Sequence, residues 1–224
     1  PVKRYQIQKV YRAEGHKISS GRFNEFYQSD IDVVGFNSLD ISYDSEFPAI
    51  VCDILKNVFN VERFVMRISN RKLLEGLFRE NGLKKVDKIK KAVRVIDDIE
   101  KVDTQTTLER LDEIGISIEN AEKLLSLFKE LYERTPVDAI AYLKELGFKD
   151  RQMKEGIDEL QKVVQGVIAN GVDQKYFKVD ARIARGLDYY TGTIFEMAPP
   201  KQVKVGTIAA GGRYDNLTAS FGLA

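Results

Sequence analysis

Apolar residues along this chain follow a two-residue period at both ends and a helical period in the middle. Arg4 to Arg12 and Glu25 to Gly35 alternate Tyr, Ile and Val with polar residues, the pattern of half-buried strands. The polar run Glu14-Gly-His-Lys-Ile-Ser-Ser-Gly21 separates them, so the two strands are expected to pair antiparallel across a long loop. Phe47, Ile50, Val51, Ile54, Leu55 and Val58 fall on one stripe of a helix spanning 45–59. Glu62 to Ser69 then has the pattern of another strand. From about 71 to 168 the period is helical throughout. The stripes are Leu73, Leu74, Leu77 and Phe78; Ile89, Val93 and Ile96; and Leu108, Leu111 and Ile114. They continue with Ala121, Leu124, Leu125 and Phe128; Ile140, Leu143 and Leu146; and Ile157, Leu160, Val163 and Val164. Asn81-Gly82, Gly115, Thr135-Pro136 and Gly147 supply the breaks. Strand patterns return at Phe177 to Arg185, Thr193 to Met197 and Val203 to Ala210, with a turn expected at Pro199-Pro200.

This order predicts an α+β fold in which helices flank an antiparallel sheet. Residues 1–70 and 169–224 form the strand-rich core, and 71–168 form an all-helical insertion. Helical stripes this regular are core faces rather than binding features.

Composition adds limits. Hydrophobic residues make up 43% and charged residues 31%, an ordinary globular balance. The 35 basic and 34 acidic residues leave a net charge of +1, so no global basic excess marks a nucleic-acid partner, though a local patch can hide in a neutral total. Lys84, Lys85, Lys88, Lys90, Lys91 and Arg94 are read as a solvated helix face, with contact to nucleic-acid phosphates as the alternative. The single cysteine, Cys52, sits in an apolar run and reads as a buried thiol, and it rules out a disulfide framework within one chain. No metal site is expected. No apolar stretch approaches the roughly 20 residues of a membrane span and no signal-peptide pattern is present, so a cytoplasmic setting without membrane contact is expected. The opening Pro1-Val-Lys-Arg without Met reads as a cut made inside a domain.

Candidate chemistry gathers on two strand faces. Phe26, Gln28, Asp30 and Asp32 share one face of their strand, with Tyr27, Ile31 and Val33 on the other, free to pack. Arg12, Glu14 and Arg22 flank the same surface, and guanidinium forks suit phosphate and carboxylate oxygens. Taken alone, this row is also what a solvated strand face looks like. In Ala184-Arg-Gly-Leu-Asp-Tyr-Tyr-Thr-Gly192, Arg185 ends a face carrying Val179, Ala181 and Ile183, and its charge is expected to meet an anion. Ala210-Gly-Gly-Arg-Tyr-Asp215 reads as a further Gly-rich turn leading toward a helix.

At these residues the chain resembles the histidyl-tRNA synthetase family. Tyr11-Arg-Ala-Glu14 with Gly21-Arg-Phe-Asn-Glu-Phe-Tyr-Gln-Ser-Asp-Ile-Asp32 resembles the second signature motif of class II aminoacyl-tRNA synthetases. Arg185-Gly-Leu-Asp-Tyr-Tyr-Thr-Gly-Thr-Ile-Phe-Glu196 resembles a motif of histidine-specific members, and Ala210 to Asp215 matches a further segment. The resemblance implies a class II-like sheet with the helical insertion and a histidine–tRNA ligase whose substrates are histidine, ATP with Mg²⁺, and tRNA(His). It implies ATP contacts from Arg12, Glu14, Arg22 and Phe26, and a histidine pocket of Gln28, Asp32, Arg185, Tyr189, Tyr190 and Tyr214. Arg12 and Arg185 would stabilise the reacting phosphate. It implies a homodimer. Gly15-His16 departs from an Arg-Pro pair common in relatives. The dimer-forming first motif, the third motif and the anticodon-binding domain are expected outside this stretch, so the stretch is not expected to catalyse alone. The alternative within the family is a non-catalytic regulatory relative, serving histidine biosynthesis or sensing uncharged tRNA.

Overall fold

The computed structural model describes residues 1–13, 23–184, 189–198 and 206–222. Strands β1 (Val2–Tyr11) and β2 (Glu25–Val34) pair antiparallel, with Tyr11 opposite Glu25 and Val2 opposite Val34. They form a two-stranded ribbon of their own. A second sheet has the order β4-β3-β5-β6, from β3 (Val65–Asn70), β4 (Phe177–Val179), β5 (Thr193–Ala198) and β6 (Ala209–Gly212). β3 runs antiparallel to β5, and β5 to β6, but β3 and β4 are parallel. The sheet is therefore mixed rather than purely antiparallel, and the helices between β3 and β4 supply the crossover that a parallel pair requires.

The helices are α1 (Tyr43–Asp53), α2 (Arg71–Glu80), α3 (Val86–Asp97), α4 (Thr104–Ile114), α5 (Ile118–Glu133), α6 (Pro136–Glu145) and α7 (Arg151–Ala169). Five of the six in the middle stretch start on a side-chain cap, from Asn70, Asp103, Ser117, Thr135 and Asp150. Gly115 ends α4 in the left-handed region at φ 116°. α2 and α7 cross where Gly76 faces Met153 and Gly156 faces Lys72 and the Leu73 amide. α7 also packs on α1, β3 and β5. One buried apolar cluster runs through Cys52 of α1, Met66 and Ile68 of β3, Leu73 and Leu77 of α2, Leu160 and Val164 of α7, and Met197 of β5. Among the described residues no helix is long and apolar enough to cross a membrane.

Several expectations change. The helix expected over 45–59 ends in a π-helical turn, Ile54–Val58, and its apolar stripe is split. Leu55 is buried and Phe47 stacks on Phe195 at 6.0 Å, but Ile50, Ile54 and Val58 are exposed. The buried side carries Asp44, Ser45, Pro48 and Cys52 instead. The strand expected from Phe177 to Arg185 stops at Val179, because the Asp180 carboxylate accepts the Arg182 amide at 3.0 Å and turns the chain. Val179, Ala181 and Ile183 therefore do not share a strand face. Gly211 and Gly212 lie in β6 rather than a turn, where each gives space to an aromatic ring: Phe195 over Gly211 and Tyr190 over Gly212. Tyr27 does not pack: it is 71% exposed. The basic face of α3 is exposed, and Lys88 donates to the Ile114 carbonyl at 2.6 Å. The turn expected at Pro199-Pro200 falls outside the described residues.

Candidate functional site

The polar face of the ribbon carries a connected row of side chains. Cross-strand pairing puts Arg4 opposite Asp32, Gln6 opposite Asp30, Gln8 opposite Gln28 and Val10 opposite Phe26, so all of them point to one side. Arg12, just past β1, donates to Gln28 Oε1 at 2.9 Å and lies 5.4 Å from the centre of the Phe26 ring. Gln28 in turn donates to Asp30 Oδ1 at 2.6 Å, and Arg4 holds Asp32 Oδ2 at 2.7 Å. The structure thus brings Arg12, Phe26, Gln28 and Asp32 onto one surface. Glu14, Arg22 and Arg185 lie outside the described residues.

The aromatic part of the site stands at the edge of the second sheet. Tyr189 touches Tyr190 at 4.4 Å between ring centres and Tyr214 at 5.4 Å. Tyr190 lies against Gly212, where an added Cβ would come within 2.9 Å of its ring and 2.7 Å of the Thr193 carbonyl. Only a glycine lets the ring settle there. The ribbon residues lie on β1 and β2, whereas these tyrosines lie in the segments flanking β5 and β6 of the second sheet.

Arg213 ties the tyrosine end of the second sheet to α1 and to the segment after β2, and the sequence reading gave it no role. Its Nη1 donates to Asp44 Oδ1 at 2.7 Å, its Nε to Asp215 Oδ1 at 2.8 Å, and its Nη2 to the Leu39 carbonyl in the segment after β2. Its backbone bonds Thr191 and Thr193, and Thr191 Oγ1 meets Asp215 at 2.6 Å. Burial pushes the Asp44 carboxyl up, partly offset by Thr193 and Arg213. Burial disfavours the Arg213 charge, but Asp44 and Asp215 outweigh it and hold its pKa above the usual value.

A second missed feature is a buried charge network. Arg67, on β3, reaches Glu100 at 2.7 Å, Glu196 at 3.3 Å and Asp180 at 3.5 Å. Arg182 grips Asp180 with two bonds of 2.8 Å and lies over the Tyr132 ring. Asp180 is fully buried and Glu196 nearly so. Burial works against the Arg67 charge, yet Asp180, Glu100 and Glu196 together raise its pKa. The network anchors the chain a few residues before Arg185. A lone charge inside an apolar strand, Arg67 in β3 and Glu196 in β5, was the available signal, since such residues are buried only when paired.

The chain belongs to the histidyl-tRNA synthetase family, which it matches over residues 3–224. It is 39% identical over 221 residues to the histidine–tRNA ligase of Clostridium tetani, covering 99% of this chain and 48% of that relative. The crystal structure of histidyl-tRNA synthetase from Nostoc sp. PCC 7120 superposes with a TM-score of 0.88 at 36% identity, over 99% of this chain and 49% of that one. An ATP phosphoribosyltransferase regulatory subunit/histidyl-tRNA synthetase from Bacillus halodurans shares the fold, with a TM-score of 0.79 at 22% identity over 99% of this chain and 54% of that one. The chain spans about half the length of the curated relatives it matches.

Proposed function

We propose that the full-length protein is a histidine–tRNA ligase, which activates histidine with ATP and transfers the histidyl group to tRNA(His). The observation that carries this reading is the joint arrangement of Arg12, Phe26 and Gln28 on one ribbon face and Tyr189, Tyr190 and Tyr214 on one sheet edge, in a chain at 36–39% identity to histidine–tRNA ligases along almost all of its length. In this reading the histidine carboxylate attacks the α-phosphorus of ATP and pyrophosphate leaves. Little proton transfer is needed, so positioning and positive charge carry the rate. Arg12 and Arg185 supply charge at the α-phosphate, Arg22 binds the outer phosphates, Glu14 takes the adenine amino group, and Mg²⁺ arrives on the ATP as part of the substrate. Adenine stacks on Phe26 once the Arg12 guanidinium turns from the ring to phosphate. Gln28 contacts the histidine α-amino group. Asp32 and Tyr190 read the two imidazole nitrogens; Asp32 keeps Oδ1 available while Arg4 holds Oδ2. Residues 1–70 and 169–224 serve as part of a class II catalytic core, and 71–168 as its helical insertion. The working form is a cytoplasmic homodimer, and residues 1–224 are inactive by themselves.

Pyrophosphate–ATP exchange in the full-length protein tests the reading. Exchange that requires histidine is expected; a folded dimer without exchange would refute it and favour a regulatory relative.

A further inference from the structure

Beside the π-helical turn that follows α1 the chain forms a cleft of about 430 Å³, lined by residues that the proposed reaction does not use. Three separate segments build it. Lys56 comes from the π-helical turn, Asn60, Glu62 and Arg63 from the bend before β3, and Lys175 and Tyr176 from the short 3-10 turn before β4. The bend is fixed by Asn60 in the left-handed region at φ 53° and by the Val61 amide donating to the Leu55 carbonyl at 2.8 Å. Tyr176 is stacked on buried Phe64 with ring centres 4.9 Å apart, so the wall is rigid. The Lys56 and Lys175 ammonium groups each lie 5.1 Å from the centre of that ring.

The charge of the cleft is unbalanced. Three cations line it against one carboxylate, Glu62. Among the described residues Lys56 and Arg63 have no ion-pair partner, and Lys175 has only Asp173, at 3.4 Å. The Lys175 backbone bond, then the Lys175 side chain, and last the Lys56 charge hold the Asp173 carboxyl below its usual range. A lysine near a helix C-terminus is explained by the helix dipole alone. That account covers Lys56 but not Arg63 or Lys175, which come from other segments. Three cations converging on a rigid aromatic wall from unrelated parts of the chain make a surface complementary to a polyanion with planar groups.

We propose that this cleft binds the phosphodiester backbone of the RNA substrate, through residues other than those assigned to histidine and ATP. The identity of the RNA rests on the ligase reading; the anion site rests on the cleft. The test uses full-length protein carrying Lys56→Gln, Arg63→Gln and Lys175→Gln together. Binding of tRNA(His) is measured from low to physiological salt, with histidine-dependent pyrophosphate exchange measured in parallel. The expected result is tRNA affinity weakened about tenfold or more and a log–log salt slope shallower by about two to three, since each neutralised phosphate contributes about 0.9. Exchange needs no RNA and should stay at the wild-type level. Unchanged affinity and slope would overturn the proposal. Absence of exchange in the wild-type protein would instead count against the ligase reading, and the salt slope would still report on the cleft.

Discussion

Gly212 is the residue on which the aromatic part of the site turns. Any side chain there would press on the Thr193 carbonyl, its neighbour across the sheet, and on the Tyr190 ring. The carbonyl is held in the ladder by the Arg213 amide at 2.8 Å, so the ring is what must move. Gly212→Ala should therefore displace Tyr190 and raise the KM for histidine in the full-length protein by on the order of tenfold, the equivalent of about 1.4 kcal/mol. The KM for ATP should change much less. Gly206→Ala, where an added Cβ meets nothing within 4 Å, is the matched control. An unaltered histidine KM in Gly212→Ala would remove Tyr190 from the pocket. The buried charges show why some of this site was hidden from the sequence. Alternation gave the face shared by Phe26, Gln28 and Asp32, because that information is local. Arg213 with Asp44, and Arg67 with Asp180, are pairs brought together only by the fold, across 169 and 113 positions.

Elements with a long, capped, one-sided pattern were the legible ones. The six helices from α2 to α7 follow from stripe and break, because each buries one face and stops at a Gly, a Pro or a fresh cap. α1 was found, but its buried face was misplaced: contacts from Arg213 and α7 draw Asp44 and Ser45 inward, and half of the apolar stripe is left outside. β4 was overextended because an Asx turn at Asp180 overrides an alternating pattern. The α2–α7 crossing offers a test at this scale. A Cβ at Gly156 would sit 2.8 Å from Lys72 Cβ and 2.9 Å from the Leu73 amide nitrogen. Helix propensity alone favours alanine over glycine by about 1 kcal/mol. Close packing reverses the sign, because backbone cannot swing aside as a side-chain tip can, and overpacking costs about 1–3 kcal/mol. Gly156→Ala should lower the melting temperature by a few degrees. A higher melting temperature would mean that the helices are not in close contact there.

At the scale of the whole molecule, two features pull in opposite directions. The apolar cluster is continuous from α1 through the sheet into α2 and α7, which argues for one cooperative unit even though 71–168 interrupts the strands in sequence. The outer face of the ribbon, with Tyr5, Ile7, Tyr11 and Tyr27 each more than two-thirds exposed, lacks such cover. Exposed patches of this kind mark surfaces that meet another partner, in keeping with the dimer proposed for the full-length protein. Cys52 allows the cooperativity to be measured. Burial pushes its thiol up to about 11, and the thiolate is the reactive form. At pH 8 the folded thiol is ionised to only on the order of one part in a thousand, and its sulfur is enclosed as well. Alkylation should thus be negligible in the folded chain and should appear with unfolding. Because Cys52 shares its cluster with Leu160 and Val164 of α7, labelling and the loss of helical ellipticity should rise at the same urea concentration. If ellipticity fell well before Cys52 became reactive, the helical stretch would be unfolding by itself, and the continuous core would not be acting as one unit.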